Sequence, residues 1–232
     1  MKISDTTALV TGGNRGLGRH LASELVTRGA TVYVGARHPD SVELPGVRAV
    51  ALDITDEASV QRAAATLGDV TLLVNNAGTF TGASLLSGEL DDIRLEFETH
   101  FFGTLSVVRA MTPHLIANGG GTILNILSVL SWITFPQTGA YGAAKSAEWS
   151  MTNALRSELA PHNVRVAGLH VGYMDTDMTR DITAPKSNPR DIARIAVDAI
   201  SNDEYEVVAD DLSAQVRQGL ASGVAGLYPQ LI

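Results

Sequence analysis

Short apolar runs alternate along this chain with longer stretches that place apolar residues every three or four positions. The runs fall at 7–11 (TALVT), 31–35 (TVYVG), 47–52 (VRAVAL), 70–75 (VTLLVN), 122–127 (TILNIL), 164–170 (VRVAGLH) and 205–209 (YEVVA). Their near-continuous apolar character, in place of strict alternation, predicts strands covered on both faces. The amphipathic stretches at 18–28, 58–67, 91–117, 141–159 and 189–201 predict helices. One strand followed by one helix, repeated, predicts a doubly wound parallel α/β sheet of about seven strands with helices on both faces. The length of 232 residues suits a single domain over 1–232. Loop-like stretches fall at 78–88, 118–121 and 175–189. The last carries Pro185, Ser187, Asn188 and Pro189 and follows a strand end, where open α/β sheets place ligands, so it is expected to be a substrate lid.

A glycine-rich segment, Thr11-Gly12-Gly13-Asn14-Arg15-Gly16-Leu17-Gly18, joins the first predicted strand to the first predicted helix. Gly12 permits a tight turn, and Gly16 and Gly18 let a pyrophosphate approach the N–H groups at the positive end of the helix. Downstream stand a hydroxyl, a phenol and an ammonium: Ser128, Tyr141 and Lys145. Tyr141 and Lys145 are four residues apart and share a helix face. Taken alone, that pair better suits the surface of an ordinary amphipathic helix. With the phosphate cradle it suggests hydride transfer between a nicotinamide and a carbonyl or alcohol.

The spacing of the turn, Thr-Gly-x3-Gly-x-Gly, resembles that of the short-chain dehydrogenase/reductase family, and further segments match in order. Asn75-Asn76-Ala77-Gly78 is similar to the family's Asn-Asn-Ala-Gly, Asp53-Ile54 to its adenine-contacting pair, and Tyr141-x3-Lys145 with Ser128 to its active-site motif. The segment from Val171 and Gly172 to Thr176 resembles the one that holds the nicotinamide. The resemblance implies a Rossmann-type sheet ordered 3-2-1-4-5-6-7 and an oxidoreductase. It implies that Tyr141 is the proton donor, that Ser128 polarises the carbonyl, and that Lys145 tunes Tyr141 and holds ribose. An unperturbed phenol, with a pKa of about 10, is a sluggish acid at neutral pH and needs such a cation. Cofactor contacts are implied for Gly12, Asn14, Arg15, Gly16, Leu17 and Gly18 in the turn. Others are implied for Arg37, for Asp53 and Ile54, for Asn75, Ala77 and Gly78, and for Gly172 and Thr176. The chain departs from the family at His100, in His100-Phe101-Phe102-Gly103, where Asn usually supports a water-linked proton relay. His100 suits either that relay or a hydrogen-bonded core position. Val171 stands where Pro is usual.

After the second predicted strand the chain reads Ala36-Arg37, neutral then cationic, and Arg15 lies in the glycine turn. An acidic residue there would accept from a ribose 2′-hydroxyl and repel a 2′-phosphate. In the resembled family the basic pair accompanies NADP(H), although both arginines also suit plain exposure to solvent. Val129, Leu130, Trp132, Phe135, Tyr173, Met174 and Met178 flank the catalytic segments and suit either an apolar substrate pocket or core packing.

Lys and Arg total 17 against 25 Asp and Glu, a formal net charge of −8, which speaks against nucleic acid and anionic membrane as partners. There is no cysteine, which removes disulfides and thiolate chemistry, and the histidines show no spacing suited to a metal. No apolar run approaches the ~20 residues of a membrane span. The first predicted strand starts too near Met1 for a signal peptide, and a cytoplasmic location is expected. Resemblance implies a homodimer or homotetramer through the helices at 91–117 and 141–160, acting on a small molecule. The main alternative is a catalytically silent nucleotide-binding regulator on the same fold. That alternative predicts loss of Ser128, Tyr141 or Lys145, and all are present.

Overall fold

A computed structural model describes residues 1–231. Seven strands form one parallel sheet in the order β3-β2-β1-β4-β5-β6-β7. They are β1 (Thr7–Thr11), β2 (Thr31–Ala36), β3 (Val47–Ala51), β4 (Leu72–Asn75), β5 (Gly121–Ile126), β6 (Val164–His170) and β7 (Glu206–Val208). The helices are α1 (Gly16–Thr27), α2 (Glu57–Ala64), α3 (Leu90–Phe97), α4 (Thr104–Ala117), α5 (Gly139–Leu159), α6 (Pro189–Ser201), α7 (Asp211–Gly219) and α8 (Gly223–Leu227). No described helix is long and apolar enough to cross a membrane.

Strand side chains alternate between two cores, one on each face of the sheet. Ala8 and Val10 of β1 pack with Leu21 and Leu25 of α1 and with Ile192 and Val197 of α6. Leu9 points the other way, into a core with Val107 and Met111 of α4 and Leu155 of α5. This two-sided burial explains why β1, β4, β5 and β6 read as continuous apolar runs. β3 departs from that expectation. As an edge strand it leaves Arg48, Ala49 and Ala51 exposed, because no neighbour covers its outer side.

The predicted helix at 91–117 is interrupted. Between α3 and α4 the segment Glu98–Gly103 adopts a π turn, with His100 inside it. A π turn inserts one residue into a helix and occurs often at functional sites. The C-terminal segment after β7, where the apolar pattern predicts no element, folds over the carboxyl end of the sheet. Asp210 caps α7 through Ser213 N–H at 2.7 Å and also accepts from Gly172 N–H at 2.6 Å. Farther on, the Tyr228 hydroxyl accepts from Thr134 N–H at 2.9 Å.

Strand order reverses at β1 and β4, so the loops that follow these two strands flank a crevice at the carboxyl rim. Such a switch point is where ligands bind in open α/β sheets.

Candidate active site

The glycine turn lies on one side of the crevice. Gly12 and Gly16 have φ of +63° and +54°, left-handed values that favour glycine. Gly18 serves packing. A Cβ there would lie 2.5 Å from the Gly12 carbonyl oxygen and 2.3 Å from Asn76 Nδ2, so α1 could not sit against the turn. The approach of a pyrophosphate is therefore left to the positions before it. α1 begins with Arg15 as its N-cap, no side chain caps it, and its first turn holds no acidic residue. Those uncapped N–H groups, with the helix dipole behind them, suit an anion. A nicotinamide dinucleotide fits this cradle through its pyrophosphate.

Several residues implied as cofactor contacts have their side chains placed otherwise. Leu17 is buried in the core, which leaves only its backbone facing the turn. The Asn75 amide turns into the sheet and donates to Asn125 Oδ1 at 2.8 Å. Its neighbour Asn76 joins the two sides of the crevice, donating to the carbonyls of Thr11 and Gly12 at 3.0 and 3.2 Å. Ala77 N–H donates to Thr11 Oγ1 at 3.0 Å, and Ala77 Cα would touch any Cβ at position 12. Asp53 accepts from Thr55 N–H and Oγ1, and Ile54 packs over Gly103. Asn14 reaches across to Ser41 at 3.2 Å, tying the turn to the loop after β2. Arg37 begins that loop, exposed and without an ion pair among the described residues. Arg15 is exposed and 3.8 Å from Asp177.

Ser128, Tyr141 and Lys145 converge on the other side, beyond β5. Ser128 follows just after that strand and caps a short 3-10 turn, its Oγ accepting from Leu130 N–H at 3.1 Å. Tyr141 lies edge-on to His100, with ring centroids 5.1 Å apart, and edge-on to Phe80 at 5.5 Å. The Lys145 ammonium is 6.0 Å from the Tyr141 ring. Burial pushes the Tyr141 phenol up. Lys145 and the neighbouring Ser128 hydroxyl pull it back, and Glu148 and Glu96 push it further up. The ammonium is itself buried and donates to Ile126 O at 2.7 Å and to Glu148 Oε2 at 2.6 Å. Burial lowers the Lys145 pKa, but the attraction of Glu148 and Tyr141 outweighs it and the net direction is up. One of the three ammonium protons is left for a further acceptor.

His100 is enclosed. Its Nε2 lies 2.9 Å from Thr79 O and 3.3 Å from Glu96 Oε2, and Gly78 gives it room, since a Cβ there would come within 2.8 Å of the ring. Glu96, wholly buried, accepts from Thr81 N–H and Oγ1 through its other oxygen.

The segment at 175–189 leaves β6 and returns beside its own start. Met174 bridges Ser187, Asp175 N–H donates to Ser187 O at 3.0 Å, and Ser187 N–H to Tyr173 O at 2.8 Å. Near its start, Thr176 lies over Gly16, close enough for a Cβ at Gly16 to meet its methyl at 3.7 Å. Of the apolar residues expected around the site, Phe135 and Met178 are exposed. Val129, Leu130 and Trp132 are buried, Trp132 stacking on His170 with centroids 3.7 Å apart.

Glu96, Glu148, Asn76 and Asp210 were not anticipated. Asn76 stood inside a recognised motif. The two glutamates lie on predicted helices, where a charged residue reads by default as solvent-facing.

Comparison with known proteins agrees with this geometry. The short chain dehydrogenase family model matches residues 6–187. A short chain dehydrogenase from Burkholderia cenocepacia, solved in complex with NADP, is 38% identical and superposes with a TM-score of 0.95, covering 100% of this chain and 99% of its own. The 1-deoxy-11-beta-hydroxypentalenate dehydrogenase of Streptomyces avermitilis is 33% identical over 87% of this chain and 82% of its own length. Carbonyl reductase [NADPH] 2 of Sus scrofa is 31% identical over 79% of this chain and 78% of its own. By family model, relatives and fold, the chain belongs to the short-chain dehydrogenase/reductase family.

Proposed function

We propose that this protein is an NADPH-dependent carbonyl reductase that also catalyses the reverse oxidation of a secondary alcohol. One observation carries the reading. The phenol of Tyr141, beside the buried ammonium of Lys145 and the hydroxyl of Ser128, lies at the crevice whose far side is an uncapped helix N-terminus. When bound, the reduced nicotinamide supplies hydride to the carbonyl carbon. Tyr141 transfers its hydroxyl proton to the carbonyl oxygen, leaving a phenolate that Lys145 stabilises. Ser128, with one lone pair engaged by Leu130 N–H, keeps its own hydrogen to donate to the reacting oxygen. The uncapped N–H groups of α1 would hold the pyrophosphate, and the free proton on Lys145 would hold the ribose. Arg15 and Arg37 would meet the 2′-phosphate, a preference supported by the NADP in the Burkholderia structure.

The exposed Phe135 and Met178 at the rim favour an apolar ketone or aldehyde of modest size. The loop at 175–189 would close over it. Leu90, Leu95 and Phe102, apolar and exposed along α3 and the π turn, suit assembly into a homodimer or homotetramer. The test is a panel of apolar, charged and phosphorylated carbonyl compounds assayed with NADPH and NADH. Turnover of apolar ketones with NADPH preferred is the expected result. NADPH binding with no turnover across the panel would make the protein a nucleotide-binding regulator, and preference for NADH would remove the assignment to the arginines.

A further inference from the structure

The face of α5 that carries Tyr141 and Lys145 continues to Glu148, whose carboxylate lies in the core at 1% exposure. Lys145, at 5%, is nearly as closed off, and its ammonium binds Glu148 Oε2 at 2.6 Å. Removing two charges from water is costly, and among the described residues the hydrogen bonds that offset it are those of the pair to each other and of Lys145 to the Ile126 carbonyl. An apolar residue at 148 would still leave Lys145 anchored to Ile126 O. The carboxylate therefore adds something besides anchorage: it cancels charge. Positions on other elements do not undo this. Glu96 on α3 faces the phenol with the same sign as Glu148, His100 in the π turn meets the phenol ring edge-on beside Glu96, and Ser128 after β5 is uncharged. His170 of β6 touches Ser128 O from behind and is neutral at working pH, with Glu206 and Arg217 paired beyond it. Lys145 is the cation that drives Tyr141 to ionise, and Glu148 is its direct partner.

We propose that Glu148 is a positioning residue that fixes the Lys145 ammonium and cancels part of its field at Tyr141, so that the phenol keeps its proton and the site works as a proton donor over a wider pH range. The proposal rests on the Ser-Tyr-Lys reading above. Its consequence is a bias in operating conditions: carbonyl reduction extends to higher pH, and alcohol oxidation is confined to alkaline solution.

The test compares wild type, Glu148→Gln and Glu148→Asp, each with and without Tyr141→Phe. The first readout needs no substrate or cofactor. The tyrosinate absorption of each protein, minus that of its Tyr141→Phe counterpart, gives the titration of Tyr141 alone. In Glu148→Gln it should move to lower pH by about one unit or more, the effect of removing a unit charge several ångströms away at an effective dielectric of ~20. Glu148→Asp, which keeps the charge, should titrate near wild type. Glu148→Ala, which opens room for water beside Lys145, is a second neutral variant read in the same way. The second readout is the pH–rate profile, in which the alkaline limb of reduction and the acid limb of oxidation should move down together in the neutral variants. A folded neutral variant that titrates like wild type would overturn the proposal, as would an Asp variant shifted as far as Gln. A Tyr141→Phe enzyme as active as wild type would instead remove the underlying reading of the site. A dead Tyr141→Phe enzyme with unmoved limbs in Glu148→Gln would remove the role of Glu148 alone.

Discussion

Between Trp132 and Trp149 the imidazole of His170 is cut off from water. It stacks on the first and meets the second edge-on at 6.2 Å. Burial pushes its pKa down to about 4, against the smaller upward pull of the Ser128 carbonyl and of Glu206. The unfolded chain binds this proton near 6.5 and the folded chain only near 4, so between these values the unfolded state holds more protons. Stability is therefore full above the unfolded value and falls as the pH drops towards 4, by about 3 kcal/mol for a shift of this size. His170→Phe, which keeps an aromatic ring but cannot titrate, should flatten the pH dependence of urea unfolding in that window. An unchanged slope would mean that another group carries the acid sensitivity. His100 calls for a different test. A neutral imidazole and an amide each offer one donor and one acceptor face, so His100→Asn should keep turnover within about tenfold. His100→Leu should do worse, because Glu96 Oε2 and Thr79 O would lose their polar neighbour. Equal damage from both variants, measured as kcat against pH, would show that the imidazole itself is required.

At the scale of elements, the strands were the most legible feature. Apolar runs with both faces covered leave little choice of structure, and β6 and α6 have the predicted limits. Where the pattern misleads or is silent, the reasons are definite. The π turn inserts one residue without changing the hydrophobic pattern, so 91–117 read as one helix. The apolar run of β3 predicts cover on both faces, while the strand order implied by the resemblance, which the structure has, places it at the edge. The C-terminal helices depend on Asp210 and Tyr228 meeting distant backbone groups, contacts that no local spacing announces. Within the site, the residues of the glycine turn were legible and the reason for Gly18 was not. The contacts that forbid a side chain there come from the Gly12 carbonyl and from Asn76, the second far along the chain. Gly18→Ala should therefore disturb the seat of α1 on the turn and lower stability by about 1–3 kcal/mol, the usual cost of overpacking. NADPH affinity should fall with it, as read by a thermal-shift titration. A variant as stable as wild type and with unchanged affinity would show that the turn relaxes around a methyl group.

For the whole molecule, the sheet brings two chemistries from opposite halves of the chain to one crevice. The N-terminal half supplies the anion cradle after β1 and the arginines beside it. The second half supplies Ser128, Tyr141 and Lys145, held by β5 and α5 against one another. A net charge of −8 makes this local positive cradle stand out against the rest of the surface. The central claim is that Tyr141 moves the proton while the cradle holds the cofactor, which makes binding and chemistry separable. Turnover of the best ketone and NADPH affinity, measured side by side for wild type and Tyr141→Phe, test it most directly. The account predicts a loss of about a thousandfold or more in kcat, roughly 4 kcal/mol of barrier, with NADPH affinity within a few-fold of wild type. A Phe variant that keeps a tenth of wild-type turnover would contradict it.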